Sequence, residues 1–395
     1  MTQGPTNKGD TSGKFTDPQA EQPRSRRLRA GWIATPGTLD HLARVIKPLA
    51  VGLLDELIDL AAVCPRAANT DELPSPPVEI LPYGPLRRFG LWTGALERLG
   101  QELRSRRLEL LHALDAQAAG LAHRLARVLN LPYVVSSFSL ADARHLGAIA
   151  RKASAVVAAS DAIRTRLLQR HVAAPERVRV IRPGVYCAKR PTCFTQLNQS
   201  IAIVAAGSLD NFRAFRPVVE SFAAMLNSGH DCSLFILGSG RAERHLRKLA
   251  DSLGVRTEVT IVDRPRQGQL PGIFKAADIY ISPAPARSVD MQSLLAMAAG
   301  VPVLTATDEK DPSDFLIADQ TAMFFECGQT ESLGRKLRLL LEERASARAL
   351  AERALRYLRE NHSPAAMVSE LLDVYHAMLG AEDSRQKAAG SRQQQ

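Results

Sequence analysis

A chain of 395 residues, 45% hydrophobic and 23% charged, is ordinary globular material, long enough for two separate cores and too mixed to be fibrous or disordered. Its net charge of +10 permits attraction to nucleic acid, anionic lipid or phosphorylated small molecules. Aromatic residues make up only 5%, and no stretch interleaves them with bases, so nucleic acid is not an expected partner.

Residues 1–28 are polar and poor in large apolar side chains, a composition that cannot offset its own ordering entropy, and read as a disordered tail. Short apolar runs then alternate with helix-period segments, the signature of parallel sheets built from strand-helix-strand units. In the first half strands are expected at 30–35, 59–64, 78–83, 108–114, 133–138, 154–160 and 178–184, with helices at 39–57, 91–107, 119–130 and 161–171. A polar, proline-bearing break at 187–200 precedes a second set of strands at 201–207, 232–238, 258–263, 278–283 and 301–306. Long helical segments follow at 330–361 and 364–379, and residues 381–395 read as a second disordered tail.

The expected architecture is α/β: two doubly wound, Rossmann-like domains, 29–190 and 191–361, facing a cleft, with a helix over 362–380 that could cross back to the first. Cys64, Cys187, Cys193, Cys232 and Cys327 lack both CxxC pairing and metal-ligand spacing, so reduced thiols and no metal site are expected. No apolar leader opens the chain, and no run reaches the roughly 18 uninterrupted apolar residues of a membrane span. A cytoplasmic location is expected.

Three glycine turns follow strands at the sheet edge where such folds bind ligands. Gly238-Ser239-Gly240, followed by Arg241, could bring backbone N–H groups to a phosphate, and so could Gly207 with Arg213 ahead of the next helix. Plain strand-to-helix turns and a solvated arginine explain the same letters. Gly37 marks a third turn, on the side where an acceptor would sit.

The stretches LHALDAQAAGLAHRLARVLNLPYVV (111–135), SAVVAASDAIRTRLL (154–168), ERVRVIRPGV (176–185), LGSGRAERHLRKLADSLGV (237–255), LPGIFKAADIYISP (270–283) and LLAMAAGVPVLTA (294–306) resemble, in this order, the family 4 retaining glycosyltransferases of the GT-B fold. The resemblance runs from about residue 30 to 378. It implies a UDP- or GDP-sugar donor held mainly by the second domain, an unspecified acceptor held by the first, and no obligatory metal. Gly238 and Gly240 would then lie beside the nucleotide, with Val262 and Asp263 at the strand end that meets the base.

The chain departs from that pattern at the reacting centre. The family's paired glutamates correspond to Arg287 and Leu295, its phosphate-binding arginine to Ser208, the following lysine to Arg213, and its histidine to Phe138. His145 lies seven residues on, too far to be equivalent. The nearby groups with usable chemistry are Asp290, His112 and Asp115, His112 being as readily a structural hydrogen-bonder. Two functions fit: a transferase with a rearranged site in which Arg287 takes the missing cation's role, or a non-catalytic binding or scaffold protein on the same fold. A third partner is suggested by residues 85–107, where Leu86, Phe89, Trp92, Leu96, Leu99 and Leu103 recur at helical spacing among arginines, as in a helix that lies on anionic membrane or one that covers a sheet.

Overall fold

The computed structural model describes residues 27–392 apart from 89, 90, 93, 196–198, 264, 266 and 308–312. The first half runs β1 (Leu28–Ile33), α1 (Pro36–Asp55), β2 (Ile58–Pro65), β3 (Glu79–Tyr83), the two-residue strands β4 (Arg87–Arg88) and β5 (Leu91–Trp92), α2 (Ala95–Ser105), β6 (Leu110–Ala113), α3 (Ala119–Leu129), β7 (Tyr133–Ser137), α4 (Asp142–Lys152), β8 (Ala155–Ala158), α5 (Asp161–Gln169) and β9 (Val178–Val180). The second half runs β10 (Ile201–Ala206), α6 (Phe212–Asn227), β11 (Cys232–Leu237), α7 (Glu243–Ser252), β12 (Val259–Val262), α8 (Leu270–Lys275), β13 (Ile279–Ser282), α9 (Met291–Ala298), β14 (Val303–Thr307), β15 (Met323–Glu326), α10 (Thr330–Glu342), α11 (Arg344–Asn361) and α12 (Pro364–Arg392).

Two parallel sheets result, ordered β3-β2-β1-β6-β7-β8-β9 and β12-β11-β10-β13-β14-β15. The central strands read as unbroken apolar runs because helices cover both faces of each sheet. Ile201 to Ala206, for example, is buried at five of six positions. In both sheets the order reverses beside the first strand, between β1 and β6 and between β10 and β13, which creates the crevice where open α/β sheets take ligands.

The halves are joined at several points. Arg182, after β9, pairs with Asp161 and, at 3.3 Å, with Asp314, while the backbone N–H of Asp161 donates to Asp314 at 2.9 Å. Helix α12 packs along α1, where a Cβ on Gly52 would lie 2.5 Å from Val368, so the glycine permits the close approach. Met367, Leu371, Val374, Tyr375 and Met378 of α12 belong to the same buried cluster as β1, β6 and β7.

Four features differ from the sequence reading. Helix α12 continues to Arg392, so the backbone of 381–392 is helical; Ala, Glu, Gln, Lys and Arg propagate a helix already nucleated by a packed segment. Strand β15 was not expected, since its four residues at a sheet edge alternate only weakly. The strand expected at 178–184 stops at Val180. The helix expected over 91–107 begins only at Ala95, behind an antiparallel β4-β5 pair. Its Leu96, Leu99 and Leu103 are buried in the first core, as is Leu86, so these four cover protein; Phe89 and the Trp92 side chain lie outside what the structure describes.

Candidate donor cleft

Adjacent strands β10 and β11 pair in register up to Ala206 opposite Leu237, and a glycine turn leaves the end of each. The turns interlock: Gly207 N–H donates to Leu237 O at 3.1 Å, Leu209 N–H to Ser239 O at 3.1 Å, and Ala242 N–H to Leu209 O at 2.7 Å. A Cβ on Gly238 would lie 2.1 Å from the Gly207 carbonyl oxygen, and one on Gly240 would lie 2.4 Å from the Leu209 carbonyl carbon. No side chain fits at either place, which is the physical reason for both glycines. Gly238 N–H also reaches Val262 O at 3.0 Å, which brings the end of β12 into the group; Asp263, next in the chain, is exposed.

Two cations flank these turns. Arg213 lies exposed in the first turn of α6, where the positive end of the helix adds to its charge. Arg241 is 92% exposed, with its Nε 3.5 Å from Asp210. Asp210 also accepts from the Arg241 backbone N–H at 3.2 Å and from Ser208 Oγ at 3.1 Å. These bonds hold its carboxyl below the usual carboxylate range, the Arg241 N–H first among them.

The loop after β13 carries Arg287 and Asp290. Asp290 caps α9, accepting from Gln292 N–H at 3.1 Å and Ser293 N–H at 3.0 Å, and from the hydroxyls of Ser282 at 2.8 Å and Ser293 at 2.6 Å. A carboxylate with four donors is a cap, not a free acid. Helix α9 closes at Gly300, whose φ of +83° and approach to Pro191 exclude a side chain, since a Cβ would meet Pro191 Cα at 2.8 Å. Leu295 packs on the core.

Arg287 is exposed, and its carbonyl accepts from Ser139 Oγ at 2.9 Å. Two residues on, Val289 N–H donates to Phe138 O at 2.9 Å. The β7-α4 turn is thus bonded directly to the loop that would face a donor sugar. That turn is set by Asp142, which accepts from Ser137 Oγ at 3.0 Å and from the N–H groups of Phe138 at 2.9 Å and Ser139 at 3.0 Å. Burial nonetheless pushes the Asp142 carboxyl up.

His112 lies in the middle of β6 with 1% exposure, not at an open strand end. Its Nδ1 meets Tyr375 Oη and its Nε2 meets Ser136 Oγ, each at 2.8 Å, and Trp32 Nε1–H donates to Tyr375 Oη at 3.1 Å. Both ring nitrogens are satisfied when Tyr375 donates to Nδ1 and Nε2–H donates to Ser136. Desolvation lowers its pKa to about 3, so the ring is neutral. Asp115 accepts from Thr35 Oγ1 at 2.7 Å, from the Thr38 hydroxyl and from Ala118 N–H at 2.6 Å, which fixes the exposed Gly37 turn to the start of α3.

The structure therefore gathers Gly207, Gly238, Gly240, Arg241 and Val262 around one pair of turns, with Arg213 on the helix that follows. His112, Asp115 and Asp290 are consumed by structural hydrogen bonds. Asp142, Asp210, Ser139 and Tyr375 were missed, because each acts through a partner distant in the chain or through backbone groups. Among the described residues, no group of three or more His, Cys, Asp or Glu side chains could hold a metal, and no helix is long and apolar enough to cross a membrane.

The glycosyl transferases group 1 model matches residues 197–357 and the glycosyltransferase family 4 model matches residues 42–189, so the two divide the chain much as the two sheets do. D-inositol 3-phosphate glycosyltransferase of Salinispora tropica is 27% identical over 297 residues, 67% of this chain and 60% of that protein. The lipopolysaccharide glucosyltransferase WaaG of Escherichia coli is 26% identical over 46% of this chain and 52% of its own length. The chain thus spans less than two thirds of these relatives. Anabaena HepE, solved with UDP and glucose, superposes with a TM-score of 0.72 at 15% identity, over 89% of this chain and all of that one. Sucrose-phosphate synthase from Thermosynechococcus elongatus gives 0.71 at 17% identity, over 90% of this chain and all of that one. At these identities the likeness is one of fold. Taken with the two family models, it makes this chain a member of the group 1 glycosyltransferases, built on the GT-B fold.

Proposed function

We propose that the protein binds a nucleotide sugar at the interlocked turns of β10 and β11 and transfers its glycosyl group to an acceptor on the first-sheet side. The carrying observation is the pair of close-packed glycine turns, at adjacent strand ends, with exposed arginines 213 and 241 beside them. A departing nucleoside diphosphate needs charge compensation, and charged donors to phosphate are the strong ones. Retention of anomeric configuration is proposed from the family likeness. UDP and UDP-glucose are the first ligands to try, with GDP and its sugars beside them.

Calorimetry tests this reading. A nucleotide or nucleotide sugar should bind, and Arg213→Ala should weaken it about tenfold or more, the value of one charge-assisted hydrogen bond. Absence of binding by every member of the panel would reject it.

A second reading, a binding protein without transferase activity, is favoured by one observation: both nitrogens of His112 and all the acceptor capacity used on Asp290 are committed to structure. Nucleotide-sugar binding with neither donor hydrolysis nor transfer would select it. Action in the cytoplasm is proposed from the scattered cysteines, which carry no CxxC pairs. Contact with anionic lipid through 85–107 would not draw on Leu86, Leu96, Leu99 or Leu103, which are buried.

A further inference from the structure

The anion-binding turns contain an anion of their own. Asp210 lies in the loop between Gly207 and α6, and its carboxylate holds the backbone N–H of Arg241 at 3.2 Å, the Arg241 Nε at 3.5 Å and Ser208 Oγ at 3.1 Å. These are a main-chain donor, a guanidinium and a hydroxyl at the mouth of the turn that interlocks with Gly238 and Gly240, the set of groups that a phosphate oxygen would take. Glycines at 238 and 240 clear the backbone for close approach, and the Asp210 side chain reaches to the residue that follows them, Arg241. It is 56% exposed, so nothing but these bonds keeps it there.

We infer that Asp210 competes with the donor diphosphate for the Arg241 end of the turn and so sets the affinity of the site for anionic donors; the inference rests on the nucleotide-sugar reading above. A bound diphosphate must displace the carboxylate from Arg241 or accept it as a like-charged neighbour, and either weakens binding. The carboxylate swings out about its own side-chain bonds, and the loop backbone stays fixed by Leu209, whose N–H and carbonyl bond Ser239 and Ala242. Asp210 is therefore an affinity-setting residue with no part in bond making. A purely structural role predicts the opposite sign, since loss of a turn-fixing residue loosens a ligand site.

The sign is read by titrating UDP and GDP into the full-length protein at low salt, wild type beside Asp210→Asn. Asparagine keeps one oxygen to accept from the Arg241 N–H and turns its amide N–H toward Ser208 Oγ, which then accepts instead of donating, so the turn is retained while the charge goes. Asp251→Asn removes the same charge near the other end of α7, where Asp251 pairs with Arg256, and controls for net charge. The expected result is about tenfold tighter binding for Asp210→Asn, for a carboxylate removed from within roughly 5 Å of a diphosphate, shrinking as salt is raised, with Asp251→Asn unchanged. Binding seen only in Asp210→Asn upholds the inference as well. If wild type binds and Asp210→Asn binds no more tightly, Asp210 is a turn residue and the inference is overturned while the nucleotide reading stands. If no form binds any nucleotide, both are overturned.

Discussion

Phe138 and Val289, 151 positions apart, are joined backbone to backbone, with the Val289 N–H donating to the Phe138 carbonyl at 2.9 Å and Ser139 donating alongside to Arg287. One strand-like contact thus ties the end of β7 to the loop that precedes α9. Ser139→Ala removes one of its bonds and should destabilise the protein by about 1 kcal/mol in urea denaturation. Val289→Pro removes the other donor, and hydrogen exchange should then quicken across 286–290. Unchanged exchange there would mean that the contact does not form in solution.

Tyr375→Phe deletes one oxygen and strands two buried groups, Trp32 Nε1–H and His112 Nδ1. The expected loss is about 2–4 kcal/mol, from two unsatisfied polar groups. Nucleotide affinity should hold, because the network lies in the first sheet and the proposed donor turns in the second. A fall in affinity at unchanged stability would contradict that separation.

Two buried histidines make the fold acid-sensitive. His112 is held to about 3 and His362 to about 4 by burial, both below the ordinary value near 6.5. The unfolded chain therefore binds more protons, so their contribution is full above about pH 6.5 and lost as pH falls toward those values. Between pH 7.5 and 5 each should remove about 2 kcal/mol. Denaturation midpoints across this range measure it, and His362→Gln should flatten the slope by about one proton.

Gly238→Ala places a methyl group 2.1 Å from the Gly207 carbonyl, where only backbone can give way. Overpacking of this kind costs about 1–3 kcal/mol, and the displaced turn should abolish nucleotide binding. Gly229→Ala, where nothing lies within 4 Å of the added carbon, is the comparison for the same change in residue type, although its φ of +87° carries some strain. Equal behaviour of the two would remove the interlocked turns from the argument.

Most of the fold could be read from letters because parallel strands covered on both faces tend to be continuous apolar runs, and β8 and β10 are such runs. Edge strand β15 lacked that signal. The glycines of the donor turns were legible since close backbone approach leaves a spacing in the sequence. Their surroundings were not: Asp210 meets Arg241 across 31 residues, and His112 meets Tyr375 across 263, distances no local pattern encodes. Phe138 illustrates the other loss. A reactive side chain leaves a letter in the sequence, whereas here the backbone carbonyl makes the contact.

The dependence of β1 and β6 on Tyr375 also has a consequence for biosynthesis. A ribosome that has made the first 190 residues has produced every strand of the first sheet, yet the helix that covers Trp32 and His112 is still untranslated. Until α12 emerges, an indole N–H and an imidazole nitrogen sit in an apolar face open to water or to other chains. The first-made sheet is thus the last to be sealed, and a nonsense codon or protease cut shortly before residue 375 would act on residues from the opposite end of the chain.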